Sequence, residues 1–455
     1  MLKKQKLDMT EGPIFKKLLL FAFPLIINSL INQLYSTADT IMMGHYAGAG
    51  SMAAVGASGH PLKLLIHLFS GLAMGVTVAC GNYKGSRDQK ALSECMHTGI
   101  SLGAVSGILI SLIGIPLSRY ILCVLETPGE ILGDASLYMR IRLAFCAPLL
   151  LSTFASNIFY ACGDSLTATL VGIFSGLANV GLNVVFVPIL GMGVTGVALA
   201  TGISQVINAV VLCVLLFRPK GQYRLSFRKL KLQWKYVRNI LTTGIPTSLS
   251  NVVVAFSNVM MQSAVNSFGY LVVAGNTAAD ELISYVILIL QSFRSACITA
   301  AAQCFGARQL TRIRKTVRSA IPGLLGVVAL LNIVITLFST TLLRLFTDDP
   351  QVVQAALPKL MFNCWGYLIF SLSKVFGGTL AGLRKSSLSL ICDISCIILP
   401  RLVWVWFVVP HMHSPTILYA IYPITWIMVS IATGTILHCQ MRKLENQALI
   451  ATQAQ

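Results

Sequence analysis

Twelve apolar runs of twenty or more residues recur along this chain of 455 residues, each bounded by a short polar segment. They fall near 17–42, 52–80, 92–114, 135–158, 166–190, 193–217, 238–265, 270–302, 316–340, 356–379, 388–410 and 416–439. A helix rises about 1.5 Å per residue, so each run reaches across a hydrocarbon core roughly 30 Å thick. No water is available there to satisfy an exposed backbone, which leaves helices as the structure such runs adopt. Only 11% of residues are charged, against about 25% in soluble domains, and these charges cluster between the runs. The fold class expected is all-α integral membrane. No small-residue cleavage site follows the first run, which is expected to be retained.

The formal charge of +19 does not point to nucleic acid, because its placement follows membrane topology. Segments on the amino-terminal side of the membrane hold 25 of the 34 Lys and Arg residues. The opposite side holds Arg119, Arg140, Arg142, Arg344 and Lys359. Cations accumulate on the cytoplasmic side of membrane proteins, so both termini are expected in the cytoplasm of a cell inner membrane. The basic stretch RPKGQYRLSFRKLKLQWKYVR, residues 218–238, is expected to lie on anionic lipid headgroups. Twelve scattered cysteines without a CxxC pair read as reduced packing residues.

That basic linker divides six runs from six. Pro24 answers Pro246, Gly85 answers Gly306, Arg87 answers Arg308 and Pro128 answers Pro350, always at an offset of 221 or 222 residues. The expected domains are a lobe over 1–217, a linker over 218–237, a second lobe over 238–440 and a tail over 441–455. Six spans return the chain to its starting side. Twelve transmembrane helices in two six-helix bundles, related by a pseudo-twofold axis along the membrane normal, follow from this.

Several runs carry a polar stripe. At about 100° per residue, Asn28, Asn32, Ser36 and Asp39 fall within one arc of roughly 80° on the first helix. Gly172, Gly176, Asn179 and Asn183 make a similar stripe on the fifth, and Asn251, Asn258, Gln262 and Asn266 on the seventh. Lipid cannot satisfy these groups, so they face protein or a wet cavity. Amides can serve as interhelical glue. Asp39 is different, since a charge at the bilayer centre costs roughly 3 kcal/mol on insertion scales. Burial disfavours the charged form, so a carboxylate alternately dry and wet takes up a proton on one side and releases it on the other. Ionised, it could instead hold sodium among neighbouring oxygens.

The segments MTEGPIFKKLLLFAFP, LYSTADTIMMG, GMGVTGVALATGISQ, VNSFGYLVVAGNTAA and YPITW, in this order across two six-span halves, resemble the multidrug and toxic compound extrusion (MATE) family of cation-coupled exporters. The resemblance covers roughly residues 10–440 and lies nearer the bacterial DinF-like branch. It implies that Asp39 works with Asn179, Asn183 and Thr201 as a cation-coupling set. Asn183 departs from the branch, where an acid is usual, which favours a proton over sodium as coupling ion. The cofactor expected is none beyond that H+ or Na+.

Asp280 and Glu281 lie early in the eighth span, where one could be a second coupling acid or a substrate contact; Arg294, about three to four turns farther along, is a candidate structural partner though too distant for a bond within one helix. Lys374, Asp393 and Arg401 are interior charges, and Asp393 with Arg401 is expected to form a structural network. Cavity candidates are Asn28, Asn32, Ser36, Asn258, Gln262, Asp280, Glu281 and Lys374. There is no GxSxG, HExxH or phosphate-cradling glycine loop, so no enzyme and no metal centre are expected beyond a possible sodium site. The expected function is a secondary exporter of amphipathic, cationic small molecules acting as a monomer among membrane lipids. A flippase for a lipid-linked saccharide precursor is the alternative, for which Lys374, Arg294 and Arg401 could grip pyrophosphate.

Overall fold

A computed structural model of the chain describes residues 7–46, 48–125, 127–218, 225–346, 349–412 and 414–453. Among them there is no strand. The helices are α1 (Ile14–Tyr46), α2 (Gly48–Gly85), α3 (Gln89–Val124), α4 (Gly129–Ala144), α5 (Cys146–Ala161), α6 (Ser165–Val184), α7 (Gly193–Phe217) and α8 (Trp234–Asn266). The second half adds α9 (Tyr270–Gly306), α10 (Leu310–Leu337), α11 (Ser339–Arg344), α12 (Pro350–Gly382), α13 (Ser386–Asp393), α14 (Leu399–Val403), α15 (Val409–Met412) and α16 (Pro415–Gln453). Short π-helical turns extend α6 over Val185–Ile189 and link α13 to α15 over Ile394–Ile398 and Trp404–Val408.

Ten helical segments among the described residues are long and apolar enough to cross a bilayer, one of them the continuous run Ser386–His411 from α13 into α15, and the pair α4–α5, bent by 47°, makes an eleventh if it is counted as one span. The expected span 356–379 falls within α12, a helix of 33 residues that is not among the ten. Lys359, Asn363, Ser371, Ser373 and Lys374 lower its apolarity. Large apolar side chains such as Leu112, Phe174, Leu330, Phe407 and Ile431 are exposed, as expected where the surrounding solvent is hydrocarbon.

Packing defines two compact units, Met1–Leu7 with Pro24–Ser248, and Asp8–Phe23 with Leu249–Gln455. Each takes a short segment from the other half of the sequence. The helices α1 and α8 are shared between them, α1 dividing at Pro24 and α8 just after Pro246. Both residues lack the amide that an uninterrupted helix uses.

In the first unit, α3 and α2 pack on α5, and α5 packs on α7, around a core that includes Phe154, Ile158 and Phe159. In the second, α9, α12 and α16 form the main stack. Met9 to Gly12 dock on that unit. The Met9 N–H donates to Gln303 Oε1 at 2.9 Å, while Arg312 Nε and Nη2 donate to the Met9 and Gly12 carbonyls at 2.7 and 2.8 Å.

The repeat inferred from sequence reappears as backbone geometry. Arg87 (φ 59°) and Arg308 (φ 57°) end α2 and α9 in the left-handed region, and Gly163 (φ 79°) and Arg384 (φ 62°) end α5 and α12 likewise. Each pair is separated by 221 residues. The amides after three of these residues turn back onto the preceding helix, as in Gln309 N–H to Cys304 O at 2.9 Å and Asp164 N–H to Phe159 O at 2.9 Å. This is the helix-ending motif usually built with glycine.

The linker is held more firmly than its composition suggests. Ser226 N–H donates to His97 Nε2 at 2.9 Å, and Tyr236 OH donates to Glu94 Oε2 at 2.8 Å. The other ring nitrogen, His97 Nδ1, is 2.6 Å from the Ser93 carbonyl. A carbonyl only accepts, so Nδ1 carries the proton and Nε2 is the bare acceptor. Arg228, Lys229 and Lys231 stay exposed on a backbone strapped to α3. Replacing His97 by Ala removes one such bond, worth about 1 kcal/mol net. Trypsin is then expected to cut the linker roughly fivefold faster in the folded protein, because access to an opened segment follows its opening free energy.

Candidate functional site

In the first unit, α1 lies against α6 where α6 has no side chains. A Cβ placed on Gly172 would meet Asn28 Oδ1, and one on Gly176 would meet the Tyr35 ring. The Tyr35 hydroxyl donates to the Ile173 carbonyl at 3.4 Å. Farther along α6, Asn179 and Asn183 are 6% and 0% exposed, and Asn183 Nδ2 donates to Asn179 Oδ1 at 3.3 Å. The adjacent helix α7 carries Thr201, whose hydroxyl donates to the Val197 carbonyl at 2.9 Å. Asn28 is half-buried where α1 meets Gly172, and Asn179 and Asn183 form a buried amide pair farther along the same helix α6. Asn32 is exposed and donates to the Asn28 carbonyl at 2.8 Å. Asp39 and Ser36 lie on α1, but their side chains fall outside the described residues.

The second unit holds a denser set of charges than the sequence pattern implied, in two clusters and one solitary cation. Toward one end, Asp280 on α9 is salt-bridged to Lys359 on α12, with Nζ to Oδ1 at 2.5 Å. Lys359, counted from sequence among the outer-side cations, is 3% exposed, because α12 already begins at Pro350 and carries it on a buried face. Lys359, not Arg294, is thus the partner of Asp280. Glu281 is exposed, and its carbonyl accepts from Ser284 Oγ at 2.7 Å. Gln262 and Asn276 complete this cluster, with Asn276 Nδ2 donating to Gln262 Oε1 at 2.9 Å.

Nearer the middle, Arg401 is 4% exposed and donates through Nη1 to Ser257 Oγ at 3.2 Å and Asn258 Oδ1 at 3.3 Å. Its guanidinium lies 4.5 Å over the Tyr422 ring. Asn258 is therefore exposed yet engaged. Asp393 accepts a short hydrogen bond from Ser250, with Lys374 and Arg294 in electrostatic reach. Lys374 Nζ also sits 4.2 Å over the Phe370 ring. The expected Asp393–Arg401 network is thus two separate arrangements, because just over two helical turns separate the residues and each finds nearer partners on α8. Tyr367, Phe370, Tyr422 and Trp426 pack together between them, with Tyr367 and Trp426 ring centroids 4.5 Å apart. Sequence periodicity missed this aromatic cluster and Asn276, since aromatic spacing along a span marks core and ligand contact alike.

Among the described residues, no group of three His, Cys, Asp or Glu side chains is placed to hold a metal ion. Neither a nucleophile–base pair nor a phosphate-binding loop emerges from these clusters. Buried amides and paired charges within helical bundles suit ion or solute translocation rather than bond chemistry.

Comparison with known proteins agrees. The chain is 27% identical over 381 residues, 82% of each chain, to the "Probable multidrug resistance protein YoeA" of Bacillus subtilis (strain 168). It is 25% identical over 378 residues, 82% of this chain and 83% of the other, to the "Probable multidrug resistance protein YpnP" of the same organism. In fold it is similar to the outward-facing structure of a multidrug resistance MATE family transporter of the MOP superfamily. The TM-score is 0.90 at 21% identity, covering 97% of this chain and 99% of that one. These likenesses do not favour the flippase alternative. The MatE family model matches twice, over residues 24–185 and 246–406, once in each half of the repeat. This chain belongs to the MatE family, whose members are membrane transporters and not enzymes.

Proposed function

We propose that the chain is a secondary exporter that moves amphipathic small molecules outward in exchange for a cation entering the cell. The observation that carries this reading is the buried amide pair on α6 in the first unit. Asn179 and Asn183 are buried there, on the helix whose glycines receive α1, and α1 also carries Asp39. One ionisable carboxylate on a helix that packs on the glycines of an amide-bearing helix suits a site that loads and unloads a single proton. Asn183 supplies an amide where an acid would have added a second charge, so a proton is the coupling ion we favour over sodium. The protein is read as a monomer in the cell inner membrane, surrounded by lipid, with both termini cytoplasmic.

The sequence led us to expect cationic cargo. The second unit weighs against cations alone, since among the described residues the interior cations Lys359, Lys374, Arg294 and Arg401 outnumber the acids set against them, Asp280 and Asp393. Flux from loaded vesicles bearing the purified protein tests the coupling. With an ethidium-like cation and a neutral amphiphile as cargo, export is expected to follow an imposed proton gradient and to ignore an imposed sodium gradient. Export following neither gradient would overturn the exporter reading.

A further inference from the structure

The Asp280–Lys359 pair is lopsided in a way that a structural ion pair is not. Its two donors are fixed and dry. Lys359 is 3% exposed and Asn276 is 2% exposed. Its acceptor is not, since the Asp280 side chain is 52% exposed. Lys359 Nζ takes Oδ1 at 2.5 Å and Asn276 Nδ2 takes Oδ2 at 3.2 Å, so the two donors grip the carboxylate by both oxygens. The amide of Asn276 is itself oriented, because Nδ2 also donates to Gln262 Oε1 at 2.9 Å while Oδ1 accepts from Tyr419 OH at 3.4 Å. Gln262 in turn donates to Asn266 Oδ1 at 3.0 Å.

Convergent, desolvated donors held by a second layer of hydrogen bonds are how proteins recognise carboxylates. A buried ammonium needs a counter-charge because an unpaired one is costly. That requirement is for an oxyanion, and nothing in the cradle demands that it belong to Asp280. Interior charge points the same way. Among the described residues of this unit, the interior acid Asp393 is already held by Ser250 beside Lys374 and Arg294, leaving the interior with more cations than anions.

We propose that Lys359 and Asn276 form a carboxylate receptor that Asp280 fills when no cargo is present, and that carboxylate-bearing amphiphiles bind there by displacing Asp280. This deepens the exporter reading by naming a cargo class, while the binding step itself is independent of coupling. An incoming carboxylate that reaches Lys359 before Asp280 leaves keeps the ammonium paired throughout, so exchange in that order carries no stage with a bare buried charge.

The test begins with chemical rescue of the purified full chain. Asp280→Ala removes the internal occupant and leaves room for a small carboxylate. Sodium acetate at about 100 mM is expected to raise its melting temperature by roughly 3 °C over equal sodium chloride. Wild type and the double variant Asp280→Ala/Lys359→Met should show no such difference. Equal melting of Asp280→Ala in acetate and chloride would overturn the proposal. Should Asp280→Ala fold only in acetate while the double variant folds in both, the proposal is supported; failure in acetate as well, with the double variant folded, overturns it.

Binding of a rhodamine carrying a free carboxylate, and of its methyl ester, supplies the second readout. Asp280→Asn is expected to bind the acid about tenfold more tightly than wild type, because its internal competitor is gone, with the ester unchanged. Equal changes for acid and ester would indicate a structural role only and overturn the receptor. These are equilibrium measurements without a gradient, so they stand or fall separately from the flux assay.

Discussion

Asp39→Asn is expected to abolish gradient-driven export while leaving a protein that folds and still binds cargo. Asparagine keeps the shape and the hydrogen-bonding capacity of the side chain but cannot gain or lose a proton. A charge moved across 100 mV contributes about 2.3 kcal/mol, which corresponds to roughly fiftyfold in the attainable concentration ratio. That factor should vanish with Asp39. Vesicle flux under an imposed proton gradient measures it, alongside a melting curve to establish that the variant is folded. The neighbouring helix supports the neutral replacement structurally, since Asn179 and Asn183 are already amides in a buried setting, the second donating to the first. Full coupled transport by Asp39→Asn would remove this residue from the mechanism.

A large loss of stability is expected at Gly378, where α12 meets α9. These helices make the most extensive contact within their unit. A Cβ at Gly378 would lie 2.9 Å from the Arg294 carbonyl oxygen, and one at Gly382 would lie 2.8 Å from the Ile298 carbonyl oxygen. The obstacle at Gly378 is backbone, and at Gly382 it is backbone together with the Ala301 Cβ at 2.6 Å, none of which steps aside as a side-chain tip does. Overpacking of this kind typically costs 1–3 kcal/mol, and a branched side chain against backbone belongs at the upper end. Gly378→Val should therefore lower the melting temperature in detergent by roughly 6–12 °C, at 2–4 °C per kcal/mol. The shift would also displace Arg294 from the neighbourhood of Asp393. Gly326→Ala is the control, for no atom lies within 4 Å of its added Cβ, and alanine improves helix propensity. A Gly378→Val protein as stable as that control would show that α9 and α12 separate more easily than their packing implies.

Much of this architecture was legible in the chain. Long apolar runs, the cation bias between them and the offset of 221 or 222 residues suffice for two bundles of membrane helices. The reason is that lipid tolerates no unsatisfied backbone and that a repeat must place equivalent residues in equivalent turns. Arg87 and Arg308, both left-handed at the ends of their helices, show that equivalence at the level of φ. The stripe on the first and fifth spans was also readable, because helical periodicity alone puts Asn28 on one face and Gly172 and Gly176 on another that can receive it.

Partnership was not legible. From the sequence, Arg294 was a candidate structural partner of Asp280 but too distant for a bond within one helix, and Asp393 was expected to form a network with Arg401. Charges in a bundle pair across helices, over sequence separations that periodicity does not record: Asp280 meets Lys359, and Asp393 meets Ser250. Lys359 itself read as an outer-side cation because a lysine normally marks a span's end, and only a counter-ion on the facing helix makes its burial tolerable. What the amino-acid order determined by itself is the solvent, the helices and their doubling, since each follows from composition and local period. What only the tertiary structure decided is which buried charges neutralise one another, because electrostatic energy depends on distance in space and not on position along the chain.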